Sequence, residues 1–212
     1  MTPPATCPSP LPTVFVVDDD PAVLKGLSRL LRSARLDVAT FSSPREFLER
    51  HDRCAPGCLV LDVAMPGLNG LELQEALAAK GSELPIIFLT GHGDIPMSVQ
   101  AMKRGALDFL TKPVNDEDLL KAVHAAIKKD RLQRQTRAEV AEIEQRLATL
   151  TPREREVMEH VISGRLNKQT AADLGTVEKT VKVHRARVME KMKVQSVAEL
   201  VHLTERAGIR AA

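Results

Sequence analysis

The first half of this chain alternates five times between a short apolar run and a segment with helical spacing. No other feature constrains the fold as tightly. The strand-like runs are Thr13-Val14-Phe15-Val16-Val17, Leu36 to Phe41, Cys58-Leu59-Val60-Leu61-Asp62, Pro85 to Thr90, and Asp108-Phe109-Leu110-Thr111-Lys112. After the first, Val23, Leu24, Leu27, Leu30 and Leu31 recur at helical spacing. Pro21 and Pro44 open the first two helices, and Asn69-Gly70 leads into the third. Ile95 to Arg104 reads as the fourth. Asp116 begins the fifth, which carries Leu119, Leu120, Val123 and Ile127. Apolar runs bounded by turns read as strands buried on both faces. The pattern predicts a doubly wound α/β domain with a five-stranded parallel sheet.

Open parallel sheets bind ligands beyond the carboxyl ends of their strands. Four of these strands end in polar residues: Asp18 with Asp19, then Asp62, Thr90 and Lys112. Clustered carboxylates repel and raise one another's pKa, and a divalent, oxygen-seeking cation such as Mg²⁺ relieves this. A carboxylate beside Mg²⁺ can attack phosphorus and form an aspartyl phosphate. Lys112 and Thr90 would meet phosphate oxygens. Singly, each residue has a plainer explanation. Asp18-Asp19-Asp20 before a helix suits an N-cap, Thr90 a loop cap and Lys112 a solvated charge. Their placement at successive strand ends is what points to phosphoryl chemistry.

Charge divides the chain. Residues 1–127 hold 12 Lys+Arg against 16 Asp+Glu, and residues 128–212 hold 18 against 12. A basic rear half makes nucleic acid a candidate partner. No apolar stretch is long enough to span a membrane. Residues 1–12 are Pro-rich, lack the features of a signal peptide and read as a disordered tail. The cysteines Cys7, Cys54 and Cys58 have no zinc spacing. Their odd number suits a reducing cytoplasm. Cys54 and Cys58 could meet in a loop, but free thiols are the expected state.

Residues 128–149 form a charged connector without Gly or Pro. Val140, Ile143, Leu147 and Leu150 mark a narrow apolar seam, suited either to a dimeric coiled coil or to packing on the next domain. From residue 150 to 212 the pattern is all helical. Thr151, Pro152 and Glu154 make a helix start with a capping box, closed at Gly164. A second helix runs from Asn167 to about Leu174, and Gly175 stops it. Glu178 opens a third helix, with Val181, His184, Val188 and Met192 on one face. Lys179, Lys182, Arg185 and Arg187 lie around it, and Val197 to Arg206 form a fourth helix. Two helices joined by a short Gly-containing turn, the second rich in cations, suggest a helix-turn-helix.

The motifs carry a resemblance. Phe15-Val16-Val17-Asp18-Asp19-Asp20, Leu59-Val60-Leu61-Asp62 through Met65-Pro66-Gly67, Leu89-Thr90-Gly91-His92-Gly93-Asp94 and Phe109-Leu110-Thr111-Lys112-Pro113 resemble the CheY-like receiver domain of two-component response regulators. The resemblance implies that Asp62 accepts phosphate from a sensor histidine kinase. It implies that Asp18, Asp19, Asp62 and the Ala64 carbonyl surround Mg²⁺. Thr90 and Phe109 match the family's switch pair, although Phe at that position is also an ordinary core choice. The Lys112–Pro113 bond is implied to be cis.

Leu150-Thr151-Pro152-Arg153-Glu154, Asn167-Lys168-Gln169-Thr170-Ala171 and Thr180-Val181-Lys182-Val183-His184-Arg185 resemble the LuxR-type DNA-binding domain. Together the halves resemble the NarL/FixJ response regulators, and the Gly91–Met97 run leans toward FixJ. The resemblance implies base contacts by Lys182 and Val183. A third would come at Ala186, where some members carry Lys. Lys179, Thr180, Arg185 and Arg187 would complete the DNA-facing set.

The sequence thus reads as a transcription regulator, not an enzyme. Residues 13–127 are its receiver, 128–149 its helical linker and 150–212 its helix-turn-helix domain. Phosphorylation would promote a homodimer that binds promoter DNA and recruits RNA polymerase. No phosphate-binding loop of the ATPase kind is present. Two other readings stay open. One is a haloacid-dehalogenase-class phosphohydrolase with Asp18 as nucleophile and Asp20 as acid. The other is an adaptor whose rear half binds protein.

Overall fold

The computed structural model describes residues 11–91 and 95–209, the side chains of residues 95–97 excepted. Most of the expected tail, Cys7, and the His92, Gly93 and Asp94 part of the Gly91–Met97 run lie outside the described residues. The order is β1 (Thr13–Val17), α1 (Pro21–Ser33), β2 (Asp37–Phe41), α2 (Pro44–Arg50), β3 (Gly57–Asp62), α3 (Gly70–Ala79), β4 (Ile86–Thr90), α4 (Ile95–Lys103), β5 (Asp108–Thr111) and α5 (Asp116–Ala148). Four helices follow: α6 (Pro152–Ile162), α7 (Asn167–Asp173), α8 (Glu178–Met192) and α9 (Val197–Arg206). Two compact units result, Met1–Gln133 and Arg134–Ala212. The fifth helix and the connector are one unbroken element, α5, and the border between units falls within it. Among the described residues, no helix is long and apolar enough to cross a membrane.

In the first unit the five strands are parallel, in the order β2-β1-β3-β4-β5. Successive strand side chains point to opposite faces, so each strand feeds two cores. Phe15, Val17, Leu59, Leu61 and Phe88 pack with Phe47 of α2, Leu73 and Leu77 of α3 and Ala101 of α4. Val14, Val16, Val60, Ile87 and Leu89 pack with Leu27 and Leu31 of α1 and with Leu119 and Val123 of α5. Each fully buried Leu or Phe contributes roughly 1.5–3 kcal/mol. Cys58 is a free thiol. Cys58 is buried, and burial, aided by the nearby Asp130 charge, pushes its thiol up to about 12.

Two glycines set where β3 starts and ends. Gly57 has φ +146°, and a Cβ there would lie 1.8 Å from the Thr13 carbonyl oxygen. Its N–H donates to the buried Asp130 carboxylate of α5 at 2.9 Å. At the other end, a Cβ on Gly70 would lie 2.3 Å from the Asp62 carbonyl oxygen. Only glycine lets α3 begin so close to the strand that carries Asp62. Asn69 and Glu72 cap α3 reciprocally.

The second unit has its own core of Val157, Met158, Val161, Val181, Val188, Met192 and Leu200. Ile143, Leu147 and Leu150 are buried in the same core, so most of the connector's apolar seam is used within this unit. The expected capping box forms: Thr151 Oγ1 accepts from Glu154 N–H, and Glu154 Oε2 accepts from Thr151 N–H at 2.9 Å. Glu154 is only 2% exposed. Lys191, near the end of α8, donates to it at 2.6 Å and to the Thr149 carbonyl at 3.0 Å. The Lys191 hydrogen bond, then the Thr151 backbone N–H, hold the Glu154 carboxyl down at about 2.

A carboxyl with a depressed pKa stabilises the fold above its ordinary value of 4.5 and loses that stabilisation as pH falls toward about 2. Lys191→Met should cost roughly 1–3 kcal/mol at neutral pH. It should also flatten the acid-side loss, because Glu154 then titrates nearer its ordinary value. Thermal unfolding of the full chain at several pH values, followed by helix signal, checks this. An unchanged pH dependence would show that the pair is not responsible.

Candidate functional site

The parallel sheet brings the carboxyl ends of β1, β3, β4 and β5 to one rim. Asp18 follows β1, Asp62 ends β3, Thr90 ends β4 and Lys112 follows β5. Asp18 is 1% exposed and Asp62 5%. Burying two carboxylates demands charge and hydrogen-bond partners. Lys112 Nζ lies 2.6 Å from Asp18 Oδ2 and 3.2 Å from Asp62 Oδ1. Backbone donors complete the set: Asp20 N–H to Asp18 Oδ1 and Val63 N–H to Asp62 Oδ1, both at 2.9 Å. Oxygens of Asp18, Asp19 and Asp62 lie within 4.8 Å of one another, with Asp19 exposed at the mouth.

The charges shape one another. Burial raises the Asp62 carboxyl above its ordinary value; the Asp18 charge adds to this, and Lys112 opposes it. Burial disfavours the Lys112 ammonium, but its hydrogen bond to Asp18 and the charges of Asp18 and Asp62 outweigh that and raise it. Three carboxylates against one ammonium leave the rim about two charges negative. Its donors are all hard oxygens, the set that suits Mg²⁺. Ala64, whose carbonyl was expected to join them, is exposed just past Asp62.

The remaining rim residues take defined places. Thr90 is buried, one residue past Leu89, the β4 partner of Asp62. Its carbonyl accepts from Lys112 N–H at 2.6 Å. Phe109 is half-buried against the core, its ring 6.3 Å from that of Phe88. The Lys112–Pro113 bond is cis. Asp20 serves α1 instead, where its Oδ1 caps the helix by accepting from Ala22 N–H at 2.7 Å. A hydrolase acid at Asp20 would have to leave that cap.

On α8, Val181, Val188 and Met192 are buried, and Lys179, Lys182, Val183, Ala186 and Arg187 are exposed. This spacing makes one solvent-facing stripe along the helix. Lys182 pairs with Glu178 at 3.0 Å. Thr180 is half-buried. Arg185 is directed differently, donating to Asn167 Oδ1 of α7 at 3.1 Å, so it ties the two helices together. Arg153 likewise donates to the Leu174 carbonyl at the end of α7, at 2.6 Å. The sequence carried no signal for these two bonds or for the backbone donors at the acidic rim.

Comparison with known proteins finds a family for each half of the chain. Residues 14–124 match the response regulator receiver domain, and residues 148–204 match the luxR family of bacterial regulatory proteins. The chain therefore belongs to the response regulators that join a receiver to a LuxR-type DNA-binding domain. It is 50% identical to nodulation protein W of Bradyrhizobium diazoefficiens, over 93% of this chain and 87% of that one. It is 43% identical to the transcriptional regulatory protein FixJ of the same organism, over 92% and 96%. The solved structure of the response regulator StyR matches with TM-score 0.86 and 49% identity, covering 93% of this chain and all of that one.

The rim's electrostatics can be tested directly. Lys112→Met removes the cation that opposes both burial and Asp18. The Asp62 carboxyl should then titrate at higher pH than in the wild type, read by NMR of the side-chain carboxyl carbon. An unmoved titration would mean that Lys112 does not set the charge state of Asp62.

Proposed function

We propose that this protein is a cytoplasmic transcription regulator switched by phosphorylation at Asp62, with residues 13–127 as receiver, 128–149 as linker and 150–212 as DNA-binding domain. The observation that carries the reading is Lys112 held between the carboxylates of Asp18 and Asp62 at a strand-end rim. A sensor histidine kinase supplies the phosphoryl group. An Asp62 carboxylate oxygen attacks phosphorus, the P–N bond to the kinase imidazole breaks, and the imidazole nitrogen keeps the electron pair and takes a proton. Asp18, Asp19, Asp62 and the Ala64 carbonyl would hold Mg²⁺, which supplies charge neutralisation for the phosphoryl oxygens. Lys112 exchanges a carboxylate partner for a phosphoryl oxygen, and the Thr90 hydroxyl donates to another. Such transfer depends on positioning and charge, so no further acid or base is required. The chemistry is self-directed, without turnover of a separate substrate.

Movement of Thr90 and Phe109 then reshapes the surface of α4 and β5. Val99 and Met102 of α4 are each 45% exposed, apolar area that suits a homodimer formed on phosphorylation. Paired α8 helices enter successive major grooves of promoter DNA. Lys182, Val183 and Ala186 face base edges. Lys179, Thr180, Arg185 and Arg187 lie nearer the backbone, with Arg185 also holding α7. The bound dimer recruits RNA polymerase.

Asp62→Asn keeps the shape and removes the nucleophile, so acetyl phosphate with Mg²⁺ should no longer label the protein. Labelling that persists at Asp18 would favour a phosphohydrolase instead.

On DNA, Lys182→Ala should cost operator binding about 1–3 kcal/mol while affecting scrambled DNA less. Arg187→Ala should weaken both similarly and lower the salt slope by about one unit. Binding curves at several salt concentrations distinguish the two. Equal losses by both variants on both DNAs would reduce α8 to a nonspecific cationic surface.

A further inference from the structure

One side chain of α3 holds the C-terminal end of α4. Gln74 is buried, and its Nε2 donates to the carbonyls of Ala101 and Arg104, each at 3.3 Å. Ala101 lies in the last turn of α4, where its carbonyl also accepts from the Ala106 N–H at 3.1 Å, and Arg104 lies just past the helix end. The two acceptors fix the amide's orientation, because turned over it would set Oε1 against them. Oε1 itself is buried and has no hydrogen-bond partner. A leucine or methionine would fill this space without burying an unpartnered Oε1 but would take a donor from the Arg104 carbonyl, so packing alone does not account for a glutamine. Beside it, Glu75 pairs with Arg104 at 2.6 Å in a more exposed setting. Ala101 is wholly buried in the core that α3 and α4 share with the sheet.

We propose that Gln74 is a positioning residue for the switch: it pins the C-terminal end of α4 to α3, so that a displacement begun at Thr90 turns the helix about that end. The proposal rests on the reading of Asp62 and Thr90 given above. Apolar contacts are non-directional, and a helix seated only on them can slide. Two hydrogen bonds from a buried amide are directional and resist sliding. The unused Oε1 offers an acceptor to a backbone N–H carried round as α4 turns. Phosphoryl chemistry needs none of this, because Gln74 lies outside the strand-end rim.

The test uses the full chain, with beryllofluoride and Mg²⁺ as the probe and sedimentation as the readout. In the wild type, the probe should strengthen dimerisation. In Gln74→Met, which keeps length and burial but loses the donor, that enhancement should fall at least about fivefold while the probe still binds. Should Gln74→Met not fold, Gln74→Asn carries the same expectation, since its amide is one methylene short of the two carbonyls. Arg104→Ala removes only the ion pair at the same helix end and should keep the wild-type enhancement. Wild-type enhancement in the Gln74 variants would overturn the proposal. So would an equal loss in Arg104→Ala, which would mean that the helix end is merely destabilised. A wild type that does not respond to the probe would overturn the reading of the rim, and the proposal with it.

Discussion

Lys112 sits between two buried carboxylates, and the rest of the first unit can be understood from that contact. Two like charges about 4 Å apart repel by roughly 4 kcal/mol at an effective dielectric of about 20. Asp18 and Asp62 are both buried, and Lys112 is the cation placed between them. Lys112 offsets that repulsion for the pair. It leaves the exposed Asp19 unopposed, and burial still holds the Asp62 carboxyl above its ordinary value. The rim is therefore folded yet under-neutralised. That balance suits the metal binding and phosphoryl transfer proposed for the rim, with an ammonium already in place to change partners.

Holding such a rim requires strand ends that do not move. The sheet provides this through two cores of different make-up, one rich in Phe and Leu, the other in Val, Ile and Leu. β3 is gripped at both ends by close backbone approaches, at Gly57 and at Gly70. Asp130 reaches from α5 to the Gly57 N–H, so the helix that leads out of the receiver is bonded to the foot of the strand whose tip is Asp62. Rigidity at the strand tips contrasts with the helix–helix contact at Gln74, where one buried acceptor goes unused. A switch needs both: fixed chemistry, and at least one packed element whose position is not fully determined.

Local pattern made much of this legible, and long-range pairing hid the rest. The strand runs, the proline helix starts and the Thr151–Glu154 capping box depend on neighbours in sequence, and the structure keeps them. The rim residues were readable because parallel topology brings successive strand ends together. Asp20 illustrates the limit: three adjacent aspartates look alike in sequence, but the chain's turn into α1 gives the third to the helix cap. The connector's seam admitted two partners in sequence, and burial of Ile143, Leu147 and Leu150 assigns it chiefly to its own unit. Contacts such as Gly57–Asp130, Gln74–Ala101 and Asn167–Arg185 join residues far apart in the chain. No periodicity or spacing encodes them.

Charge in the second unit shows why a count of cations is a poor guide to a nucleic-acid surface. Several of its basic side chains are spent on the protein itself. Arg146 donates to the Met192 carbonyl, Arg153 to Leu174, Arg155 to Leu147, and Lys191 to Glu154 and Thr149. Arg185 is bonded to Asn167, and Arg206 is paired with Glu139. These cations hold helix ends and join neighbouring helices, and their carbonyl acceptors are the ones that helix termini leave open. What remains on the outward stripe of α8 is a smaller set, Lys179, Arg187 and Lys182, the last paired with Glu178 on the same exposed face, interleaved with the exposed Val183 and Ala186. Apolar positions between sparse cations suit groove recognition better than a dense positive patch would, because apolar side chains can meet thymine methyl groups while the cations reach bases or phosphates. Much of the basic excess of the rear half therefore builds the helical scaffold, and a minority is left on the exposed face of α8, the face proposed to meet DNA.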